Sequence, residues 1–280
     1  MRALEMQCVS FSYDAGAEAV RDVSLAVEMG ERVAIIGQNG AGKTTLTRMT
    51  NGLLRPKRGR VLVCGEDVAG RPIHELARLV GYCFQNPDDQ IFHANVYDEV
   101  AFGPLALGFD AVRVRRSTER ALELCGLADV AGAQPYDLPY SARKLVSLAS
   151  TISCEPRLLV LDEPTAGQDV VGIEAIERVM TALPDTAVIV VTHDMEFVAR
   201  NFDRVVTMVG GRCALDAGVL ETFSNHALLE EAHVEQPFLV YAAERLGIDL
   251  SGLRYDDLAG CIRFALRDAA QDAGTGGRAN

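Results

Sequence analysis

No stretch of this 280-residue chain approaches the roughly 18 consecutive apolar residues that span a bilayer. The segment Met1 to Ser10 carries Arg2 and Glu5 and has no long apolar run, so it does not read as a secretory signal. The expectation is a chain kept inside the cell. No C-x-x-C pair occurs among the seven cysteines (Cys8, Cys64, Cys83, Cys125, Cys154, Cys213, Cys261), and none pairs with histidine at metal-ligand spacing. They are expected to be small reduced hydrophobes. Internal repeats and low-complexity tracts are missing too. Positive charge is short: 27 basic residues face 39 acidic ones, a formal −12. That weighs against generic binding of nucleic acid or anionic lipid, both of which want basic surfaces. A small anion in one local pocket and a basic protein partner stay open. Lysine is scarce: only Lys43, Lys57 and Lys144 stand beside 24 arginines. Codon bias is the plain explanation, but a lysine that stays in such a chain is a candidate for amine chemistry.

What is there is ordinary globular composition, 49% hydrophobic and 24% charged, with length for a sizeable core. Met6, Cys8 and Phe11, turn residues at Asp14–Gly16, then Val23, Leu25 and Val27 predict antiparallel strands. Arg32–Ile36 is a short apolar strand that runs into a glycine-rich loop, and Thr44–Leu54 reads as a helix. Arg60–Cys64 and Val80–Phe84 read as strands with a helix from about Ile73 between them. From Asn86 to about Pro156 the texture is helical, with helices expected at Val96–Leu107, Ala111–Cys125 and Ser141–Ser153. Strands resume at Leu158–Leu161 and Ala187–Thr192 around a helix near Ile173–Leu183, an alternation that implies a parallel sheet covered by helices. Arg204–Val209 and Arg212–Leu215 close the sheet through Gly210–Gly211. Helices follow at Ala227–His233, Phe238–Leu246 and Leu258–Ala269, and Gly274–Gly277 reads as a frayed end.

Gly37-Gln38-Asn39-Gly40-Ala41-Gly42-Lys43-Thr44 fits G-x-x-x-x-G-K-[ST] in the required strand–loop–helix setting. Glycines let backbone N–H groups wrap a phosphate without Cβ clashes. The helix N-terminus adds free donors. Lys43 can neutralise β- and γ-phosphates, and the Thr44 hydroxyl can ligate Mg²⁺. Leu158–Leu161 ends in Asp162 and Glu163, delivered to the carboxyl edge of the sheet. Asp162 is placed to hold Mg²⁺ through water, and Glu163 to polarise an attacking water. Alone such a strand says little; with the loop it makes a nucleotide hydrolase site.

Over about Leu4 to Leu220 the chain resembles the ABC-type ATPases. The resemblance rests on motif order: Tyr13, the loop, Gln85, Leu158–Glu163, Ala166-Gly167-Gln168-Asp169, then Thr192-His193-Asp194. It implies an α/β P-loop NTPase fold: a parallel core sheet, antiparallel N-terminal strands, a helical subdomain inserted at about 86–156, and a C-terminal helical extension. The domains would be 1–220 and 221–280. It further implies that ATP is held by Tyr13 stacking on adenine and by Gly37, Asn39, Gly40, Ala41, Gly42, Lys43, Thr44 and Thr45. Mg²⁺ would sit on Thr44, Gln85 and Asp162. Catalysis would fall to Glu163, to His193 at the γ-phosphate, and to Gln85, which links the water site to a membrane partner. Asp169 would speak across a dimer. A strand tyrosine also serves simple packing, so that alternative stands for Tyr13. His74, His93, His226 and His233 are expected to be structural or solvated.

Phe84-Gln85-Asn86-Pro87-Asp88-Asp89-Gln90-Ile91-Phe92 and Glu99-Val100-Ala101-Phe102-Gly103-Pro104 are similar to the ATPase components of energy-coupling factor transporters. Those import vitamins and cobalt or nickel ions. The resemblance implies a peripheral subunit on the cytoplasmic face, paired through its C-terminal extension with a second ATPase. A transmembrane component would dock arginines at Asp88 and Asp89, and a substrate-binding membrane subunit would join indirectly; nucleic acid is not expected. Two exposed turn aspartates are the alternative for Asp88 and Asp89.

One departure is plain. The family signature Leu-Ser-Gly-Gly-Gln falls on Leu138-Pro139-Tyr140-Ser141-Ala142, fixed by the 24 positions from Leu138 to Asp162. Both glycines are gone, and Pro139 offers neither hydroxyl nor N–H. Sliding the register to make Ser141 the signature serine restores no glycine. Family sites are composite, so the site this stretch completes should hydrolyse poorly and a heterodimer is expected. Gln168 stands where leucine is usual. A nucleotide-binding regulatory subunit with little turnover is the alternative function. A soluble ABC ATPase of repair or translation fits less well, given the acidity, the single cassette and the lack of a long coiled-coil insertion.

Overall fold

The computed structural model describes residues 1–13 and 16–275, with side chains through Arg267. Asp14 and Ala15 of the expected turn therefore lie outside the described residues, as do Gly276 and Gly277. Two sheets carry the architecture. β1 (Arg2–Phe11) pairs antiparallel with β2 (Val20–Glu28). β3 (Arg32–Ile36) then enters the second sheet and leads to α1 (Lys43–Thr47). β4 (Arg58–Val63) and the short β5 (Glu66–Asp67) return to the first sheet, whose order is β2-β1-β4-β5. α2 (Ile73–Leu76) and β6 (Val80–Cys83) follow. Three helices, α3 (Val96–Ala106), α4 (Ala111–Leu124) and α5 (Tyr140–Ile152), separate β6 from β7 (Leu158–Asp162). α6 (Val170–Ala182), β8 (Ala187–Val191), α7 (Met195–Asn201), β9 (Arg204–Val209) and β10 (Arg212–Gly218) complete the second sheet. Its order is β10-β9-β3-β8-β7-β6, parallel except for β10.

The central parallel strands β3, β7 and β8 are almost wholly apolar because both faces are covered, whereas the edge strand β10 alternates exposed and half-buried residues. Val33, Ile35, Val160, Ile189 and Val191 pack with the antiparallel sheet. Ala34, Ile36, Leu159, Leu161, Val188 and Val190 pack with the helices. The period-2 alternation thus divides one strand between two cores. Parallel pairing of β3, β8 and β7 brings their carboxyl ends to one edge: Ile35 and Asp162 both lie opposite Val191.

Several expected bounds are corrected. The helix expected at Thr44–Leu54 stops at Thr47. Beyond it, Met49 N bonds Leu46 O and Thr50 N bonds Thr47 O, the tighter i to i+3 pattern. Thr47 and Thr50 hydroxyls donate to the carbonyls of Thr44 and Thr47, competing with continued α-helix. α6 starts three residues before Ile173, because Asp169 Oδ1 caps it by accepting Gly172 N at 2.8 Å. The expected frayed end gives way to α11 (Tyr255–Thr275), which includes Gly274 and Thr275 and follows α8 (Val219–Phe223), α9 (His226–Ala232) and α10 (Phe238–Arg245). These helices pack into the body: Leu229, Val240 and Leu258 share a core with Phe197 and Phe202. Glu196 of α7 accepts both Phe238 N and the Tyr255 hydroxyl. Among the described residues no helix is long and apolar enough to cross a membrane.

Candidate functional site

The loop Gly37–Thr44 leaves β3 at the carboxyl edge. A Cβ on Gly37 (φ +137°) would meet Met208 O at 2.2 Å, and one on Gly42 (φ +96°) would meet Ala19 O at 2.2 Å. Both positions demand glycine for space as well as conformation. Ala41 O accepts Gly211 N at 3.1 Å, which anchors the loop to the β9–β10 turn. Asn39 and Gly40 form the exposed tip. Lys43 is buried, and its Nζ donates to Gly37 O at 2.6 Å and Gln38 O at 3.0 Å. Burial pushes its pKa down, and the Glu163 and Asp162 carboxylates oppose that shift. The ammonium is already inside the loop, held by the carbonyls that an anion would replace. Tyr13 stands beside the loop: its hydroxyl lies 3.0 Å from Thr45 Oγ1, and the residue is exposed.

Asp162 closes a polar chain. Its Oδ1 accepts the Thr44 hydroxyl at 3.2 Å and its Oδ2 the Tyr82 hydroxyl at 3.1 Å. Tyr82 also meets Thr47 Oγ1 at 3.0 Å. Burial raises the Asp162 pKa, with the Thr44 and Tyr82 bonds opposing. Burial, reinforced by Asp162, holds the Tyr82 phenol above its ordinary value. The sequence reading missed Tyr82; its one signal is a polar tip on the strand that neighbours β7.

Glu163 follows at φ +51°, a left-handed conformation rare for a residue with a Cβ. Its N–H donates to Val191 O at 2.7 Å. Its Oε2 lies 2.8 Å from His193 Nδ1 and accepts His193 N at 3.3 Å. Glu163 is buried while the His193 side chain is 69% exposed, so the pair runs from the core edge to solvent. Lys43, Thr44, Asp162, Glu163 and His193 are thus brought to one edge, as expected. Among the described residues no three His, Cys, Asp or Glu side chains gather into a metal cage. One hydroxyl and one carboxylate converge instead, a donor set that fits Mg²⁺ completed by phosphate oxygens and water.

The remaining expected residues are placed differently. Gln85 is exposed, two residues beyond the end of β6. Gln90 is the glutamine that is tied down: its Nε2 reaches Ser147 O, Ser150 Oγ and Thr151 Oγ1, and its Oε1 accepts the Ser147 hydroxyl at 2.6 Å. Asp88 is not free, since Arg143 Nε of α5 lies 3.1 Å from it. Asp89 meets Asn86 Nδ2 at 3.5 Å. Asp169 serves as the α6 cap. Ser141 offers its carbonyl to Gln168 Nε2 at 3.0 Å. The Tyr140 ring packs on Gly167, where an added Cβ would meet it at 3.2 Å. A cavity of about 570 Å³ opens beside the loop, lined by Gly37–Asn39, His193–Glu196 and His233–Pro237. The sequence pattern gave no hint that the C-terminal segment reaches it.

A family model described as ABC transporter matches residues 20–166. The energy-coupling factor transporter ATP-binding protein EcfA of Methanoculleus marisnigri is 37% identical over 240 residues, covering 85% of this chain and 87% of that protein. EcfA1 of Methanospirillum hungatei is 38% identical over 242 residues, with the same coverage. The structure of cbiO1 from Clostridium perfringens, described as part of the ABC transporter complex cbiONQ, superposes with a TM-score of 0.73 at 29% identity. That match covers 87% of this chain and 99% of that one.

Proposed function

Because the chain belongs to the ABC transporter family of ATP-hydrolysing subunits, we propose that it powers an energy-coupling factor importer of a vitamin or transition-metal ion, as one of two unlike ATPases. The single observation that carries the hydrolytic reading is the Glu163–His193 pair beside Lys43 and the Thr44–Asp162 contact.

In this reading Lys43 exchanges its loop carbonyls for β- and γ-phosphate oxygens, and the backbone N–H groups of Gly40–Thr45 cradle the rest. Thr44, Gln85 and Asp162, the last through water, would hold Mg²⁺, which would neutralise phosphate charge. Tyr13 stacks on adenine. Glu163 takes a proton from the water that attacks the γ-phosphorus, as the bond to ADP breaks. His193 fixes the Glu163 carboxylate and approaches the γ-phosphate from its exposed side.

The partner contributions follow from the start of α5. Tyr140 stands where the family signature has glycine, and its ring packs on Gly167, so a second ATPase with an intact signature would complete this chain's site. Asp169 and Ser141 then face that partner. The transmembrane component would dock near Asp89 and Asp88, Asp88 sharing its charge with Arg143. Exposed Phe92 and Phe102, in edge contact at 4.9 Å, offer apolar surface next to them. In this reading the subunit sits peripherally on the cytoplasmic face of the membrane. The altered start of α5 also favours a regulatory, nucleotide-binding subunit; the Glu163–His193 pair speaks for turnover.

The test is to assay the full chain alone and with a second ATPase of intact signature. Slow hydrolysis alone and fast hydrolysis by the pair are expected. Strong cooperative hydrolysis by this chain alone would overturn the heterodimer. Glu163→Gln should lower turnover of the pair by roughly 10²-fold or more while ATP binding persists. Unchanged turnover would refute the site.

A further inference from the structure

The segment after β7 is held by a residue outside the nucleotide motifs. Lys144, in the second turn of α5, is only 4% exposed. Its Nζ donates to Glu163 O at 2.5 Å and to Ala166 O at 2.9 Å. Both acceptors are backbone carbonyls, so the ammonium grips the chain itself. A buried charge is a costly way to fill a helix position that leucine or methionine would fill well. It is also one of three lysines in a chain that otherwise uses arginine.

What it grips is strained. Glu163 sits at φ +51°, which persists only where the surroundings over-determine it. Val191 O takes the Glu163 N–H, and Lys144 takes the Glu163 carbonyl. The residue is therefore fixed on both sides, with its Oε2 directed to His193 Nδ1. Two further contacts fasten α5 to the same segment: Gln168 Nε2 to Ser141 O, and the Tyr140 ring on Gly167.

We propose that Lys144 is a positioning residue for hydrolysis, holding the Glu163 backbone in its left-handed turn so that the carboxylate stays on His193 and the attacking water. It acts through Glu163 and touches no substrate. It also ties the start of α5, which faces the partner's nucleotide, to this chain's own glutamate. The inference rests on the hydrolytic reading above.

A double-mutant cycle tests it in the assembled ATPase pair: wild type, Glu163→Gln, Lys144→Met and the double variant. Lys144→Met should lower kcat roughly 10-fold and leave the KM for ATP within about 2-fold. On the Glu163→Gln background it should remove nothing more. Lys144→Arg, which keeps a cationic donor, should recover part of the rate. Amide exchange on the nucleotide-free full chain gives an activity-free readout: Lys144→Met should speed exchange across residues 163–168 and leave β7 and α5 protected. Losses that multiply in the double variant, a raised KM at full kcat, or unchanged exchange would each overturn the proposal. Full turnover by Glu163→Gln would instead defeat the site assignment, and the exchange measurement would still judge the clamp. If Lys144→Met does not fold, Lys144→Gln, with an N–H donor on a shorter arm, is read by the same cycle and exchange.

Discussion

Asp162 is a carboxylate held in the core by two hydroxyls, from Thr44 and Tyr82. Burial raises its pKa in the folded chain. A group whose folded pKa lies above its unfolded value binds protons more tightly when folded, so stability rises as pH falls through that raised pKa. Above it, the carboxylate is charged in both states and its burial opposes folding. The nucleotide-free Asp162→Asn variant should therefore melt above the wild type at neutral pH. The difference should shrink as pH falls through the raised pKa and vanish below the ordinary carboxylate range near about 4. Melting curves from about pH 3 to about pH 8 check this. With Mg²⁺ and ATP the order should reverse, because ligand stabilises only the chain that can bind it. A wild type more stable than Asp162→Asn in the absence of ligand would show that the hydroxyl pair outweighs desolvation.

Between elements, Gln90 joins the segment after β6 to α5. Gln90→Leu removes its bonds to Ser147, Ser150 and Thr151 and should cost about 1–3 kcal/mol, read by urea denaturation. ATP turnover of the pair should survive, but stimulation by the membrane component should fall, since that segment carries Asp88 and Asp89. The strands that build the site were legible in the sequence because two-sided burial writes continuous apolar runs such as Leu158–Leu161 and Ala187–Val191. The phosphate loop was legible because its glycines, Lys43 and Thr44 stand in one short consecutive pattern. The residues that were not legible act across the fold. Tyr82 reaches Asp162 over 80 positions and Gln90 reaches α5 over about 60. Lys144 was conspicuous by its rarity, yet only the fold shows that it holds the Glu163 carbonyl. The short α1 was misjudged for another reason: the Thr50 hydroxyl, which the apolar pattern ignores, takes the Thr47 carbonyl that a longer helix needs.

On the scale of the whole molecule, a chain of net charge −12 can bind ATP because the attraction is local: Lys43 and the loop N–H groups act within contact range, where distant surface charge is screened. The same locality governs assembly. Lys43, Asp162, Glu163 and His193 all match the family pattern, so the proposed limit on this chain acting alone is what Pro139–Ala142 offers a neighbour. Rebuilding the family pattern there with Pro139→Ser, Tyr140→Gly, Ser141→Gly and Ala142→Gln should let two copies complete each other. ATP hydrolysis by the chain alone should rise at least about 10-fold, a modest part of the acceleration open to such a site. The rate should grow more than linearly with protein concentration, because a dimer is then the working unit. The change has a cost that can be measured separately: losing the Tyr140 ring from Gly167 should lower unfolding free energy by about 1–3 kcal/mol. A folded, ATP-binding quadruple variant that stays slow alone would place the defect outside the start of α5. Gln168, bonded to Ser141 O across the same junction, would then be the next residue to exchange.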